Sequence, residues 1–178
     1  KGEMPGAVVI AGSRHHLLFR RAFGLAAALP EKAPMREDAI FDLASVTKAV
    51  VTATSVAVLV GDGRLGWDDP VARHLPAMST PDKRGITLRH LLTHVSGLPA
   101  DNAVSDEQLG LGRAVSAIAR LPLASEPGER YRYSDLGFIL LGAIIEQRSR
   151  QGLDEFARAL LLAPLGLEST SFRPAPSP

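Results

Sequence analysis

Two rhythms of apolar residues divide the chain. Ala7-Val-Val-Ile-Ala11 is short, apolar and β-branched, and after Gly12-Ser13 a second strand-like run extends from Leu17 to Phe23. Two such runs around a polar turn predict a β-hairpin. A polar segment with Pro30 and Pro34 follows. Ile40-Phe-Asp-Leu43 then leads into the seventeen residues ASVTKAVVTATSVAVLV, Ala44 to Val60. That stretch is apolar on nearly every face, which predicts a core helix ending at Gly61-Asp-Gly63. Beyond it, Arg64 to Val71 reads as a loop and then a short helix starting near Pro70, with Asp68 or Asp69 as cap. Thr87 to Thr93 reads as a helix with Thr87 as its N-cap, stopped around Ser96-Gly-Leu-Pro99. Helical spacing recurs over Asp106 to Leu121, Asp135 to Arg150 and Leu153 to Leu161, punctuated by Pro127-Gly128 and Gly152. Ser169-Thr-Ser-Phe-Arg173 is a candidate strand, which the proline-rich residues 174–178 cannot continue. No internal repeat interrupts this order of strands, a helical block and a return segment.

Composition narrows the functional classes. A chain of 178 residues fits one domain, or a domain plus part of another. With 46% hydrophobic and 22% charged residues it has enough apolar material for a core. Twenty basic and nineteen acidic residues leave a net charge of +1, so no sequence-wide field points to nucleic acid or an anionic membrane. The cluster of Arg14, His15 and His16 with Arg20 and Arg21 reads as a solvated hairpin turn. The absence of cysteine excludes disulfides, zinc–thiolate sites and thiol catalysis, and leaves the redox compartment open. No apolar run reaches the roughly 20 residues of a membrane span. The chain opens at Lys1 with neither an initiator Met nor a signal-type apolar stretch, which reads as a processed chain or a cut piece.

Lys48 is the one charge in the apolar helix. An ammonium there is costly unless it finds partners or gives up its proton. Ser45 lies three residues earlier, one turn away on the same face. A serine hydroxyl needs a group to take its proton. A shielded lysine with a lowered pKa can do that, or can hold another base in its ionised form. A helix opening at Ser45 would add its dipole and unpaired N–H groups. The spacing alone carries little weight, since 13 serines and 4 lysines give roughly 0.3 chance matches. A lysine snorkelling near a helix end fits it equally well.

A second element adds weight. Glu126-Pro-Gly-Glu-Arg-Tyr-Arg-Tyr-Ser-Asp135 is a turn followed by an aromatic approach to a helix, with Tyr133 just before an N-cap at Ser134 or Asp135. A phenol beside an ammonium has its pKa pulled down and can act as general base. A packed ring with a bonded hydroxyl is the commoner fate of a single tyrosine. His90 and His94 have the i, i+4 spacing of a metal pair, but the glutamate that follows the first His of a zincin helix is missing, so no metal is predicted. Ser96, with no partner at fixed spacing, reads as a turn residue.

Taken together, Ser45-Val-Thr-Lys48 and Tyr133-Ser-Asp135 resemble the first two motifs of the serine β-lactamase and penicillin-binding protein superfamily. The resemblance is to its class C β-lactamase-like branch, which includes esterases and D-aminoacyl peptidases. It extends in order through Pro5 to Val9, Phe41 to Lys48, Gly63 to Val71, Ile86 to Pro99, Tyr133 to Glu146 and Pro164 to Thr170. It implies an α/β (α+β) fold of the β-lactamase/transpeptidase type, with part of an antiparallel sheet and a mostly helical domain. It also implies a serine hydrolase, of β-lactamase, esterase or D-Ala-D-Ala carboxypeptidase type, acting on ester, amide or β-lactam substrates without cofactor or metal. Ser45 would form the acyl-enzyme and Lys48 would hold the proton network. Tyr133 would be the base, and the Ser45 backbone N–H one oxyanion donor. Asp135 stands where the family often has Asn; it could still orient Lys48, and its charge would favour a protonated Lys48. His94 would belong to a structural turn.

The family's third motif, Lys-Thr-Gly or His-x-Gly on a downstream strand, has no counterpart: the last lysine is Lys83 and no histidine follows His94. The expectation is thus an N-terminal portion lacking the C-terminal sheet strands. Residues 1–42 would hold the first strands, 43–163 the helical domain with both motifs, and 164–178 the return toward the sheet. Open strand edges in such a piece invite self-association or a second chain supplying the rest. The alternative is a non-catalytic truncated homologue that binds a ligand or partner. The resemblance is compatible with a cytoplasmic, periplasmic or secreted protein.

Overall fold

The computed structural model of the chain describes residues 4–100, 110–172 and 174. It divides into two compact units, Lys1–Leu43 and Ala44–Pro178.

The first unit is a three-stranded antiparallel sheet in the order β1-β2-β3. β1 (Gly6–Gly12) pairs with β2 (Leu17–Ala27) in a register that sets Val8 opposite Ala22 and Ile10 opposite Arg20. The expected hairpin is therefore present, and its turn is closed by Ser13, whose N–H donates to the His16 carbonyl at 2.8 Å. β3 (Ala33–Pro34) adds a two-residue edge to β2, with Leu25 opposite Pro34. Phe19 and Phe23, four residues apart on one face, stack with centroids 6.4 Å apart.

The second unit is helical, and its centre is α5 (Asp135–Ser149). Leu136, Leu140, Leu141, Ile144 and Ile145 of this helix are all fully buried. A helix apolar nearly all round must be surrounded, and this one is. It packs against α1 (Thr54–Gly61), α3 (Leu88–Leu92), α4 (Leu111–Arg120) and α6 (Leu153–Ala157). Val56 and Leu59, Leu88 and Leu91, Val115 and Ile118, and Phe156 complete one core with it. Among the described residues, no helix is long and apolar enough to cross a membrane.

Several elements depart from the sequence expectation. The helix predicted within Ala44 to Val60 is present, but its Lys48–Ala53 part is wound as a π-helix that passes into α1. The Thr54 hydroxyl donates to the Ala49 carbonyl at 3.0 Å, five residues back. Valine and threonine at Val50, Val51 and Thr52 crowd a tight turn, and π-turns of this kind recur at functional sites. α2 (Val71–His74) is capped by Pro70, not by Asp68 or Asp69. The Asp69 carboxylate instead accepts from the Gly66 N–H at 3.0 Å, from Arg73 at 2.9 Å and contacts His74 Nε2 at 3.1 Å. Thr87 does cap α3, in a reciprocal arrangement with the His90 side chain. α4 begins at Leu111; residues 106–109 of the expected helix lie outside the described residues. Ser169 to Phe172 forms no strand: Thr170 donates to the Leu167 carbonyl in a turn, and among the described residues no strand pairs with it. Arg173 lies outside the described residues.

The far ends of α1 and α5 are tied together. Arg148 donates to the Arg64 carbonyl at 2.9 Å, and Arg64 donates in return to the Arg148 carbonyl.

Candidate active site

The near ends of the same two helical elements carry the candidate chemistry. Ser45 sits in the turn that opens the π-helical segment, preceded by Ala44 at a φ of +41°. A non-glycine residue in that region is strained and marks a turn that its surroundings over-determine. Lys48 is the first residue of the π-helical segment, and its N–H donates to the Ser45 carbonyl at 3.1 Å. Tyr133 arrives on an extended segment, Ser134 is the N-cap residue of α5, and Asp135 is its first helical residue. Ser134 does not cap with its side chain; its hydroxyl donates to the Pro99 carbonyl at 2.6 Å.

All four residues singled out from the sequence meet. The Tyr133 hydroxyl lies 2.8 Å from Ser45 Oγ, Lys48 Nζ lies 3.3 Å from the same oxygen, and Asp135 Oδ1 lies 2.6 Å from Lys48 Nζ. Lys48 Nζ also stands over the rings of Tyr133 and Phe138, 5.2 and 5.8 Å from their centroids. Its side chain is only 18% exposed, whereas that of Asp135 is 43% exposed. The ammonium is thus shielded at the inner wall of an otherwise open cluster.

The electrostatics separate the two roles that the sequence leaves open for Lys48. Burial pulls its pKa down, but the hydrogen bonds to Asp135 and Tyr133 outweigh burial and hold it above the ordinary lysine value. That direction favours the charged form of Lys48 and runs against a lysine base with a lowered pKa. Tyr133 moves the other way. Its hydrogen bond to Lys48, followed by that to Ser45, brings its pKa below the ordinary phenol value, with the Asp135 charge opposing. The group whose proton is loosened is the one already in contact with the serine oxygen.

His94 joins the cluster, which sequence reasoning did not assign to it. Its ring lies 4.5 Å from that of Tyr133 and 5.1 Å from that of Phe138, centroid to centroid. Forty positions separate it from Ser134, so its nearness is a product of the tertiary fold and no local spacing announces it. His90 lies elsewhere in purpose, with Nδ1 accepting from the Thr87 N–H at 3.3 Å. Among the described residues no group of histidine and carboxylate side chains is arranged to hold a metal ion.

The comparisons with known proteins point the same way. A family model described as Beta-lactamase matches residues 1–178. Esterase EstB of Burkholderia gladioli is 36% identical over 96% of this chain and 47% of its own. Penicillin-binding protein 4* of Bacillus subtilis strain 168 is 33% identical over 91% of this chain and 37% of its own. Among solved structures, EstCE1, described as a hydrolase with promiscuous acyltransferase activity, superposes with a TM-score of 0.81 at 29% identity, over 93% of this chain and 48% of that one. The chain thus spans less than half the length of these relatives.

Proposed function

The chain belongs to the beta-lactamase family, and from that premise we propose that it carries the nucleophile half of a serine hydrolase site whose acyl-enzyme forms on Ser45. The observation that carries this reading is the 2.8 Å contact between the Tyr133 hydroxyl and Ser45 Oγ beside a cationic Lys48. Tyr133, as phenolate, takes the Ser45 proton while Oγ forms a bond to the carbonyl carbon of an ester, amide or lactam. The Ser45 backbone N–H is one donor to the resulting oxyanion. As the tetrahedral intermediate collapses, the carbon–leaving-group bond breaks and Tyr133 returns its proton to the departing alkoxide or amine. Water, deprotonated by the same phenolate, then bonds to the acyl carbon; the bond from that carbon to Ser45 Oγ breaks, the acid departs and Tyr133 returns the proton to Oγ. Lys48 remains protonated throughout, stabilising the phenolate, and Asp135 anchors Lys48 by their 2.6 Å ion pair. The similarity to an esterase and a penicillin-binding protein supports ester and amide substrates together.

The test is intact mass spectrometry of the protein before and after incubation with a fluorophosphonate. In that reaction Ser45 Oγ bonds to phosphorus, fluoride departs with the bonding pair and Tyr133 receives the proton. A single adduct on the peptide containing Ser45 is expected; an unmodified mass, or an adduct mapped to another serine, overturns the proposal.

Asp135 supplies a further expectation. Its charge raises the Tyr133 pKa. Asp135→Asn keeps an acceptor for Lys48 but removes that charge, so the limb of labelling rate that rises with pH moves to lower pH. Labelling rates measured across a pH series show the direction; a shift to higher pH would contradict the assignment of Tyr133 as base.

A further inference from the structure

We propose that His94 is the positioning residue for Tyr133, an inference that rests on the reading of Tyr133 as the base at Ser45. Residues 130–134 belong to no helix or strand, so nothing in regular structure fixes where the Tyr133 hydroxyl points. The two residues on either side of Tyr133 are instead both bonded to His94. The Arg132 N–H donates to the His94 carbonyl at 2.8 Å, and the Ser134 N–H donates to His94 Nδ1 at 3.2 Å. Between these two anchors the His94 ring lies against the phenol, with planes inclined by 30° and centroids 4.5 Å apart. The two anchors, both made by His94, thus set the height and the tilt of the Tyr133 ring, and the imidazole lies alongside it.

The backbone of His94 is consistent with a fixed task. It has a φ of +57°, in the left-handed region that is uncommon outside glycine and in which histidine, with asparagine and aspartate, is among the enriched side chains. That conformation follows directly from the end of α3 and turns the carbonyl and the ring toward the same segment. Because Nδ1 accepts from an amide N–H, the neutral ring carries its proton on Nε2. Burial and the nearby Lys48 charge keep His94 below the ordinary histidine pKa, so this tautomer persists at neutral pH.

Two substitutions separate acceptor from ring. In His94→Asn, Oδ1 occupies nearly the position of Nδ1 and the residue tolerates a positive φ. In His94→Phe the ring remains and the acceptor is lost. Fluorophosphonate labelling of Ser45 is followed by intact mass across a pH series, with thermal unfolding of each variant alongside. Asn is expected within about threefold of the wild-type rate and Phe slower by about 10- to 100-fold, the range of loss associated with displacing a reacting group by about 1 Å. The rising limb in Phe should also move to higher pH, because a displaced phenol loses its hydrogen bond to Lys48. The pH shift is the readout that a merely structural residue would leave unmoved.

Wild-type rate and limb in the folded Phe variant, or an Asn variant as slow as Phe, overturns the positioning role. If Phe does not fold, His94→Gly, which tolerates the same φ and has no acceptor, is set against Asn: a Gly rate about 10- to 100-fold below that of Asn with its limb at higher pH sustains the role, and equal rates and limbs in the two remove it. Absence of labelling in the wild-type protein overturns both this inference and the function on which it rests, which distinguishes that failure from the loss of the His94 role alone.

Discussion

Methionine in place of Lys48 is expected to slow the modification of Ser45 by about 100- to 10,000-fold, the range associated with general acid–base assistance, here that of the Tyr133 base which Lys48 sustains. The substitution keeps the length and apolar packing of the stem and removes only the ammonium. Two consequences act in the same direction. Ser45 Oγ loses the cation at 3.3 Å that favours negative charge there. Tyr133 loses the hydrogen bond that contributes most to its lowered pKa, while the Asp135 charge that raises it remains. The phenol then returns toward or above its ordinary value of about 10. Because the base form is the deprotonated one, the reactive fraction falls at every pH below that pKa, and the rising limb moves to higher pH. The expected displacement is opposite in sign to that of Asp135→Asn. Second-order labelling rates between about pH 6 and 10 check both, the window being that between an ordinary histidine and an ordinary phenol. A Lys48→Met rate within about threefold of the wild type would remove Lys48 from the mechanism.

The largest effect on stability is expected from Gly97→Ala, a change of one methyl group. Gly97 has a φ of +79°, and a Cβ built there would stand 2.1 Å from the Ser125 carbonyl oxygen. That oxygen belongs to a backbone which cannot move freely, since the Ala124 N–H donates to the Gly97 carbonyl at 2.8 Å and the Gly128 N–H to the Val95 carbonyl at 2.7 Å. The left-handed conformation costs an alanine about 1–2 kcal/mol. Relieving the overlap by shifting backbone adds about 1–3 kcal/mol. A loss of about 2–5 kcal/mol in urea unfolding is therefore expected. Gly61→Ala serves as the contrast: its position has open space around it at the end of α1, and a gain of about 0.5–1 kcal/mol is expected. Equal effects at the two positions would show that close approach at Gly97 is not what holds the 94–97 and 124–132 segments together.

What the sequence discloses and what it withholds follow from the range of the forces involved. The Ser45–Lys48 relation is local, one helical turn, and could be read from spacing. So could α5, whose apolar content admits no position except a core, and the Thr87 cap, which needs partners three residues away. Asp69 misleads because a carboxylate before a proline matches a cap signature, yet three local partners within five residues, Gly66, Arg73 and His74, take its oxygens instead. The Ser169–Phe172 segment has β-favouring residues, but a strand exists only where a neighbour offers an edge. The π-helical winding at Lys48–Ala53 and the left-handed backbones at Ala44 and His94 are set by the packing around them and leave no pattern in the residues. The contact of Tyr133 with Ser45 spans 88 positions, so the residue types were suggestive and only the fold could join them.

The reciprocal bonds between Arg64 and Arg148 bear on how the site breathes. α1 and α5 pack together in the core and are clasped, through Arg64 just beyond α1 and Arg148 of α5, on the side remote from Ser45 and Asp135. Local fluctuations of a fold open in cooperative blocks, and a pair of helices fastened in this way belongs to one block. The serine turn and the α5 N-terminus are consequently expected to move together, as the near ends of elements held in one block. Thermal motion that would part nucleophile from base must either bend a helix within the core or melt the block as a whole. The lifetime of the reactive geometry is thereby coupled to the free energy of global unfolding.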